Sequence, residues 1–542
     1  MRRPWSALVL VAGGLLLLVS LYLPWVATTA NAGFGTDSSL LQVFGGEDIG
    51  AWSAAAGTPA AVVALYLVGA GATAWMRAIR IPISAPALLA AYFALAITAE
   101  SRTAAMNLDD GVTTVDVHYA RGAYLGITAG LLAVASAFAL GRSRSTRTER
   151  PTALGLLGTG LAVALLATLL LPWERATFRF EGASASIEYL GISGPASVVA
   201  ALAAVWVATS FWSQHADRVW KRVLLGSGAA LFSLGAFSAA DPVLHRTHEA
   251  WIALASAFAL AALTILPGGR VRVAWVKRLE WRALALAAAP ALFLGSLFLP
   301  WRSECFPRSF APDPRAGHCV TLNGWILTGT AAAVLATWLF VVAIRRRGGL
   351  GHPVALAAGV LLFAVANAVE LTRGSTPPVP VELGYGAFVG MACAVAAIAL
   401  AVPRVNVASL EWREIGVRAL PVALCLAYVA IVMVPPLLEP SFDQPTLFFA
   451  PTSWLTVTGV VVATLLIEAW IVGSADRAWL VVWPLCMLAL AVVDVVRLRE
   501  NLAWGAAVVV AICGALLGLG RIEQIGGFRG LRAPEILRVD RI

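Results

Sequence analysis

The chain has 542 residues, of which 60% are hydrophobic and 13% are charged, with a formal net charge of +9. A mean hydropathy of +0.82 leaves too little polar surface to cover a water-soluble globule, so we expect an integral, all-helical membrane protein. About sixteen spanning helices of about 20 residues each would use most of the chain. That leaves short loops and excludes a sizeable soluble domain.

Apolar runs follow one another in four sets of four, which predicts four tandem four-helix repeats with both termini in the cytoplasm. The repeats are predicted over 1–149, 150–278, 279–409 and 410–521, followed by a basic cytoplasmic tail over 522–542. Their helices are predicted near 5–24, 52–75, 82–99, 121–140, 153–172, 191–213, 221–240, 250–267, 281–300, 325–344, 353–371, 385–402, 415–435, 454–473, 478–496 and 502–520.

The first helix of a repeat is predicted to close on the tripeptide Leu-Pro-Trp, with tryptophans at Trp25, Trp173 and Trp301. A degraded copy stands at 434–436. Proline stops a helix, and an indole prefers the headgroup region because its N–H stays hydrated there. We therefore expect these tryptophans to anchor the helices at the membrane interface. A rim of outward indoles that binds a ligand is the alternative.

Basic residues fix the predicted orientation. Of the 39 lysines and arginines, 28 fall on the side that holds the N-terminus, whereas 20 of the 30 acids fall on the other side. The positive-inside rule places the basic side in the cytoplasm. Anionic membrane lipids are sufficient as binding partners for these basic residues, and other membrane proteins are further candidate partners. Because no folded basic surface is available, we expect no nucleic-acid binding.

Every predicted third helix ends near an acid, and the four acids are Glu100, Asp241, Glu370 and Asp494. If the repeats pack around a pseudo-symmetry axis, these carboxylates could form a cation-attracting ring or a proton path. Alternatively, the four acids have a structural role, in which each is solvated or paired with a nearby arginine. A third possibility is that they contact a partner protein.

The loop after Trp301 holds Cys305 and Cys319, and we expect them to form a disulfide. His318 stands beside Cys319, but two thiols and one histidine fall short of a four-ligand metal site, so no metal is expected. Glycines four residues apart recur on predicted fourth helices, at Gly126 and Gly130 for example, where they would let helices approach closely.

The sequence contains no phosphate-binding glycine loop, no paired-histidine zinc motif and no nucleophile elbow. We therefore expect neither a cofactor nor catalytic residues. A lipid-modifying enzyme is the weakest alternative, because it would need outer-loop acids such as Asp48, Asp109 or Asp110 to face a lateral cleft.

The repeat unit combines a first helix that closes on Leu-Pro-Trp with a second tryptophan before the second helix, and such a tryptophan occurs in three of the four repeats, as Trp52, Trp325 and Trp454. In this it resembles the small four-helix membrane proteins of actinobacteria labelled tryptophan-associated, and more distantly the claudin-type tetraspan plan. It departs from claudins because only one repeat has loop cysteines, and they precede the second tryptophan. The resemblance implies the fold and supplies no activity.

The 37 arginines against two lysines suggest a GC-rich bacterial genome, hence a bacterial plasma membrane. The function that we expect is that of a non-enzymatic scaffold or accessory subunit that binds other membrane proteins or lipids. A transporter or channel that uses the four acids is the main alternative.

Overall fold

The structure is a computed structural model. It describes residues 3–32, 48–76, 83–106, 113–142, 153–180, 183–211, 219–239, 245–265, 281–305, 319–345, 353–373, 381–401, 412–438, 454–472, 479–497 and 504–525. The chain forms two compact units, Met1–Val271 and Arg272–Ile542. We call the four predicted repeats segments 1 to 4; the helices of segments 1 and 2 lie in the first unit and those of segments 3 and 4 in the second.

The protein is mostly helical, with sixteen α-helices among the described residues. In the first unit they are α1 (Arg3–Ser20), α2 (Gly57–Met76), α3 (Ser84–Met106), α4 (Arg121–Arg142), α5 (Ala153–Leu169), α6 (Pro195–Phe211), α7 (Val219–Ala239) and α8 (His248–Ile265). In the second unit they are α9 (Trp281–Ser296), α10 (Leu327–Arg345), α11 (Pro353–Arg373), α12 (Tyr385–Ala401), α13 (Trp412–Leu438), α14 (Trp454–Val472), α15 (Trp479–Arg497) and α16 (Trp504–Ile525).

Short strands occupy connections that the sequence predicts to be loops. They are β1 (Pro24–Ala32), β2 (Asp48–Gly50), β3 (Thr113–Tyr119), β4 (Pro172–Phe180), β5 (Ala183–Leu190), β6 (His245–Arg246), β7 (Pro300–Cys305), β8 (Cys319–Asn323) and β9 (Val381–Leu383). Segments 1, 2 and 3 each build one antiparallel three-stranded sheet, in the orders β2-β1-β3, β5-β4-β6 and β8-β7-β9. The strand that follows the first helix is always central. We call the end of a segment that carries this sheet its sheet end.

The first helices end earlier than predicted. In segments 1 to 3 they stop at Ser20, Leu169 and Ser296, three or four residues before the proline. The proline instead begins a strand, the first position of which tolerates a residue without an N–H. In segment 4, α13 continues to Leu438 beyond its proline pair, where no tryptophan follows to start a strand.

Small residues let the helices of each unit pack closely. Among neighbouring segments, the third helix of one packs against the second helix of the next, α3 against α6 in the first unit and α11 against α14 in the second. In the second unit a Cβ on Gly359 would lie 3.5 Å from Thr464. In the first unit the Tyr92 hydroxyl donates to the Leu166 carbonyl at 3.2 Å. Gly359 of segment 3 thus faces Thr464 of segment 4, and the Tyr92 hydrogen bond joins segment 1 to segment 2.

Four of the described helical stretches are long and apolar enough to cross a membrane, namely Ser84–Met106, Arg121–Leu140, Arg222–Ala239 and Leu327–Ile344. Helices also expose large apolar side chains along stripes. On α4, for example, Tyr124, Leu131 and Phe138 recur every seven residues and are each more than 60% exposed. Such a stripe lies on one face of a helix and is suited to contact with lipid.

Candidate functional site at the sheet end

A tryptophan interrupts the central strand of each sheet. Pairing in segment 1 passes from Pro24↔Gly50 directly to Val26↔Ile49, so Trp25 has no opposite residue on β2. The same register shift occurs at Trp173 in segment 2 and at Trp301 in segment 3. A bulge re-aims a side chain out of the alternating pattern of a strand. Here it lets the indole turn into the protein.

Each bulged indole hydrogen-bonds to the end of the preceding helix. The Trp25 Nε1–H donates to the Ser20 carbonyl at 2.7 Å. Trp173 donates to Thr168 at 2.9 Å, and Trp301 donates to Ser296 at 2.8 Å. These carbonyls lie in the last turn of a helix, where the backbone has no intrahelical donor. Each of these carbonyls also accepts a hydrogen bond from a backbone amide three residues later, that of Leu23, Leu171 or Leu299. The indole is therefore a second donor to the same carbonyl, and it fixes the strand to the helix.

Glycines make room for the indole. A Cβ on Gly122 would lie 2.6 Å from Trp25, and one on Gly126 would lie 2.3 Å from it, both on α4. In segment 3, Gly386 and Gly390 of α12 meet Trp301 at 2.8 and 2.6 Å in the same way. These glycines thus face the tryptophan of their own segment. Gly130 instead faces α3, where an added Cβ would lie 2.6 Å from the Cα of Ala91.

The three indoles are buried within the protein, whereas the sequence predicts indoles that are exposed to the membrane interface. Trp25 and Trp301 have no exposed surface and Trp173 is 4% exposed, because the bulge and the glycines direct the rings inward. The sequence contains a further signal for this arrangement. A serine or threonine stands five residues before each tryptophan, so the full motif is Ser/Thr-Leu-x-Leu-Pro-Trp.

Glu100 is buried in segment 1, where its carboxylate binds backbone amides that directly precede α2. It is 8% exposed, and its carboxylate accepts hydrogen bonds from the amides of Ala55 at 3.2 Å and Ala56 at 3.0 Å, directly before α2. The Ser193 side chain of segment 2 also hydrogen-bonds to it. An acid near the N-terminus of a helix is stabilised by the free amides there. Glu100 therefore links three elements of the first unit.

In segment 3 the corresponding place is taken by Asn367. Its side chain is fully buried, donates to the Gly324 carbonyl at 3.1 Å and accepts from the Thr328 hydroxyl at 3.1 Å, at the start of α10. Glu370 and Asp494 lie in α11 and α15, but their side chains are outside the described part, and Asp241 lies wholly outside it. The ring of four acids stays a prediction.

The sheet of segment 3 carries the cysteines. Cys305 and Cys319 are directly opposite each other on β7 and β8 and are joined by a disulfide. Arg302 and Glu304 form an ion pair on the same strand, at 5% and 9% exposure. Burial lowers the pKa of Arg302, and the Glu304 carboxylate opposes that shift. The equivalent residues of segment 1, Val26 and Thr28, are also buried but carry no charge.

The sheet end of segment 2 carries charged and aromatic side chains that are exposed. Arg175 and Glu188, opposite each other on β4 and β5, form an ion pair at 2.5 Å. The Arg246 guanidinium lies 4.3 Å from the Phe237 ring centroid, and that ring makes an edge contact with Trp251 at 4.6 Å. Trp251 is 56% exposed. This combination offers a surface to an external partner. Among the described residues no three His, Cys, Asp or Glu side chains are grouped as metal ligands would be.

These features define a helical protein with apolar helices and small antiparallel sheets fixed to the ends of its helices by buried tryptophans. Comparison of the chain with protein-family models, curated proteins and solved structures finds no match.

Proposed function

We propose that the protein is a scaffold or accessory subunit of a bacterial plasma membrane, with sixteen spans in four repeats and both termini in the cytoplasm. In this proposal the sheet ends face the outside and bind other membrane proteins or lipids. The observation that carries it is the recurrence of one rigid element: segments 1 to 3 each present a three-stranded sheet held by a buried tryptophan.

Rigidity matters because binding is weakened by the entropy lost when flexible loops are ordered. A strand that begins at a tryptophan hydrogen-bonded to its own helix has little of that freedom left to lose. The exposed apolar stripes support the membrane part of the proposal, since a contiguous apolar surface needs a lipid or protein cover. The arginine distribution supports the sidedness.

Glu100 favours a scaffold over a cation or proton path. Its carboxylate is engaged by the Ala55 and Ala56 amides and by Ser193, which are contacts that build the first unit. A permeation site needs a group that exchanges partners with water or an ion. The described contacts of Glu100 fit a structural acid.

Purification from native membranes tests the proposal. The full chain, tagged at its C-terminus and extracted in a mild detergent, is expected to elute with stoichiometric partner proteins or bound lipid, as measured by light scattering and mass spectrometry. If the chain always elutes alone, monodisperse and without retained lipid, the proposed scaffold function would be contradicted.

Sidedness has its own test. An impermeant maleimide applied to intact cells should label His245→Cys, an exposed residue of β6, and should not label Arg147→Cys or Arg346→Cys. The unsubstituted chain gives the background from its other cysteines. Labelling of Arg147→Cys and Arg346→Cys on opposite faces would overturn the sixteen-span topology.

A further inference from the structure

An exposed stripe runs along α3 in the first unit. Leu88 and Leu95 stand seven residues apart, which places them on one face of the helix, and they are 42% and 48% exposed. The position seven residues further on is Arg102, which is also exposed. The stripe therefore begins with apolar side chains and ends with a cation.

Two neighbouring helices flank this stripe, so that it forms the floor of a groove. Residues three and four after Leu88 lie on the two sides of the stripe. On one side a Cβ on Gly130 of α4 would lie 2.6 Å from the Cα of Ala91. On the other side the Tyr92 hydroxyl donates to the Leu166 carbonyl of α5 at 3.2 Å. We call the groove over this stripe, between α4 and α5, the α3 groove.

The walls of the α3 groove carry apolar side chains as well. Leu131 follows Gly130 on α4 and is 62% exposed, and Val163 stands three residues before Leu166 on α5 and is 57% exposed. Within a membrane, an apolar groove is filled by lipid chains or by another helix. An acyl chain fits this groove because it is apolar and flexible and brings no hydrogen-bonding group into it.

The end of the α3 groove at the sheet end of segment 1 is positively charged. Arg102 donates to the Tyr119 hydroxyl at 3.4 Å, which places its guanidinium beside β3. Arg121, the first residue of α4, is exposed too. These two arginines are the exposed charged side chains that the structure describes in segment 1, and the acid that it describes there, Glu100, is buried. An anionic group such as a phosphate is complementary to this end.

The position of Arg102 along α3 matches the depth of a phospholipid phosphate. Ser84–Met106 is long and apolar enough to cross a membrane, and Leu95 is its middle residue. Seven residues of helix place Arg102 about 10 Å from that middle, and half the hydrocarbon core is about 15 Å thick. A long arginine side chain extends from such a depth to the headgroups. The groove thus combines an apolar part and a phosphate-binding end at the spacing of one leaflet.

We propose that the α3 groove binds one anionic phospholipid, with its phosphate at Arg102 and an acyl chain over Leu95. This inference rests on the membrane part of the proposed function and names a lipid class and its site. The lipid belongs to the leaflet on the side of the sheet end. Arg121 supplies a second cation at that end for a headgroup with net negative charge.

A photoreactive lipid tests the site. The probe is a phosphatidylglycerol with a diazirine in one acyl chain, added to the detergent-purified full chain, and the crosslinked peptides are identified by mass spectrometry. We expect crosslinks on α3 near Leu95, and unlabelled phosphatidylglycerol should compete for them about fivefold better than phosphatidylcholine does. Leu284 and Leu292 of α9 are 60% and 63% exposed and report ordinary surrounding lipid, for which both competitors should act equally. Equal competition at α3 as well would overturn the inference.

Variants of Arg102 test the headgroup contact. Arg102→Gln removes the charge and should reduce the preference for phosphatidylglycerol at α3 by about fivefold, whereas Arg102→Lys should retain most of it. Unchanged crosslinks on α9 show that each variant is folded. A preference that survives Arg102→Gln would contradict phosphate recognition.

Tyr119→Phe is the matched control for the charge. It removes the same hydrogen bond as Arg102→Gln but leaves the guanidinium in place, so the lipid preference at α3 should persist. If Tyr119→Phe lowered the preference as much as Arg102→Gln does, the hydrogen bond rather than the charge would be the cause, and the proposed phosphate site would be wrong.

A bulky side chain tests the acyl-chain part of the groove. Leu95→Trp fills the floor of the α3 groove and should reduce the phosphatidylglycerol-specific crosslinks on α3 and α4 several-fold. The matched variant is Val365→Trp on α11, where Ala358 and Val365 form an exposed stripe with the same seven-residue spacing. Val365→Trp should leave the crosslinks on α3 unchanged. Equal effects of the two variants would exclude a specific site in the first unit.

The outcomes separate this inference from the proposed scaffold function. A chain that co-purifies with partner proteins but shows no headgroup preference at α3 would keep the scaffold and overturn the lipid site. A chain that shows this preference but always elutes alone would keep the lipid site and contradict the scaffold. In native membranes, a photoreactive residue in place of Leu95 should crosslink to lipid. A crosslink to a second copy or to another protein would identify a helix as the occupant and overturn the inference.

Discussion

The Trp25 indole donates its Nε1–H to the Ser20 carbonyl at 2.7 Å, and this bond joins the first strand of segment 1 to the helix that precedes it. Equivalent bonds join Trp173 to Thr168 and Trp301 to Ser296. The contact lies within one segment and depends only on six consecutive residues. It explains why the tripeptide Leu-Pro-Trp recurs along the chain.

Loss of this bond should weaken segment 1 measurably. Trp25→Phe keeps most of the buried ring but removes the indole donor, so that the Ser20 carbonyl keeps only the Leu23 amide. We expect a loss of about 1 kcal/mol. Trp25→Ala also leaves a cavity and should cost about 3–5 kcal/mol. Denaturant unfolding in detergent, followed by tryptophan fluorescence, measures both. Trp5→Phe, at an exposed indole of α1, is the control. If it destabilised the protein as much as Trp25→Phe does, the buried indole bond would not be the cause.

Gly126 should resist substitution because of its contact with the same indole. A Cβ at Gly126 would lie 2.3 Å from Trp25 Cη2, so Gly126→Ala must displace the ring, at a cost of about 1–3 kcal/mol. Gly514 of α16 has nothing within 4 Å of such a Cβ. Gly514→Ala should therefore be neutral or stabilising by up to about 1 kcal/mol. The shift in the thermal unfolding midpoint compares the two, and equal shifts would contradict a steric role for Gly126.

Much of the helical architecture could be predicted from the sequence, because long apolar runs report burial directly. Predicted and observed starts coincide at Arg121, Ala153 and Tyr385, for example. The sheets could not be predicted in this way. β1 pairs with β3, more than eighty residues later, and its sequence, Pro-Trp-Val-Ala-Thr-Thr-Ala-Asn-Ala, lacks clear alternation. Its formation depends on contacts that are distant in the chain.

The site was predicted less well for the same reason. An indole next to a proline at the end of an apolar run has the composition of an interfacial anchor. Only the register shift at Trp25 turns it inward, and a bulge depends on the partner strand. Similarly, the spacing of the acids equates Glu100 with Glu370, but the contact at the start of the second helix is made by Asn367.

The disulfide of segment 3 should stabilise its sheet. Cys305→Ser with Cys319→Ser frees a connection of 14 residues in sequence, so loss of the cross-link should cost about 3 kcal/mol. Limited proteolysis of the full chain should then cut between β7 and β8 faster, while cleavage in segment 1 stays unchanged. Reduction of the native chain with dithiothreitol should reproduce the effect. Unchanged cleavage after both treatments would contradict a stabilising disulfide.

Glu100 should matter for packing rather than for flux. Glu100→Ala leaves the amides of Ala55 and Ala56 without their acceptor, and each buried unpaired amide costs about 1–3 kcal/mol. Glu100→Gln keeps one acceptor oxygen and should lie between the wild type and Glu100→Ala in unfolding midpoint. In proteoliposomes, cation or proton flux should be the same with and without the protein. A protein-dependent flux that disappears in Glu100→Gln would favour the transporter.

The buried ion pair of segment 3 provides the sharpest comparison between segments. Glu304→Gln leaves the Arg302 guanidinium buried without its counter-charge, and loss of one partner of such a pair costs about 3–5 kcal/mol. Segment 1 has Val26 and Thr28 at the same two positions, both buried. The double variant Arg302→Val with Glu304→Thr should therefore unfold at nearly the wild-type midpoint, because it removes both charges together. If the double variant were as unstable as Glu304→Gln, the ion pair would contribute net stability, and the sheets of segments 1 and 3 would differ in how they pack against their helices.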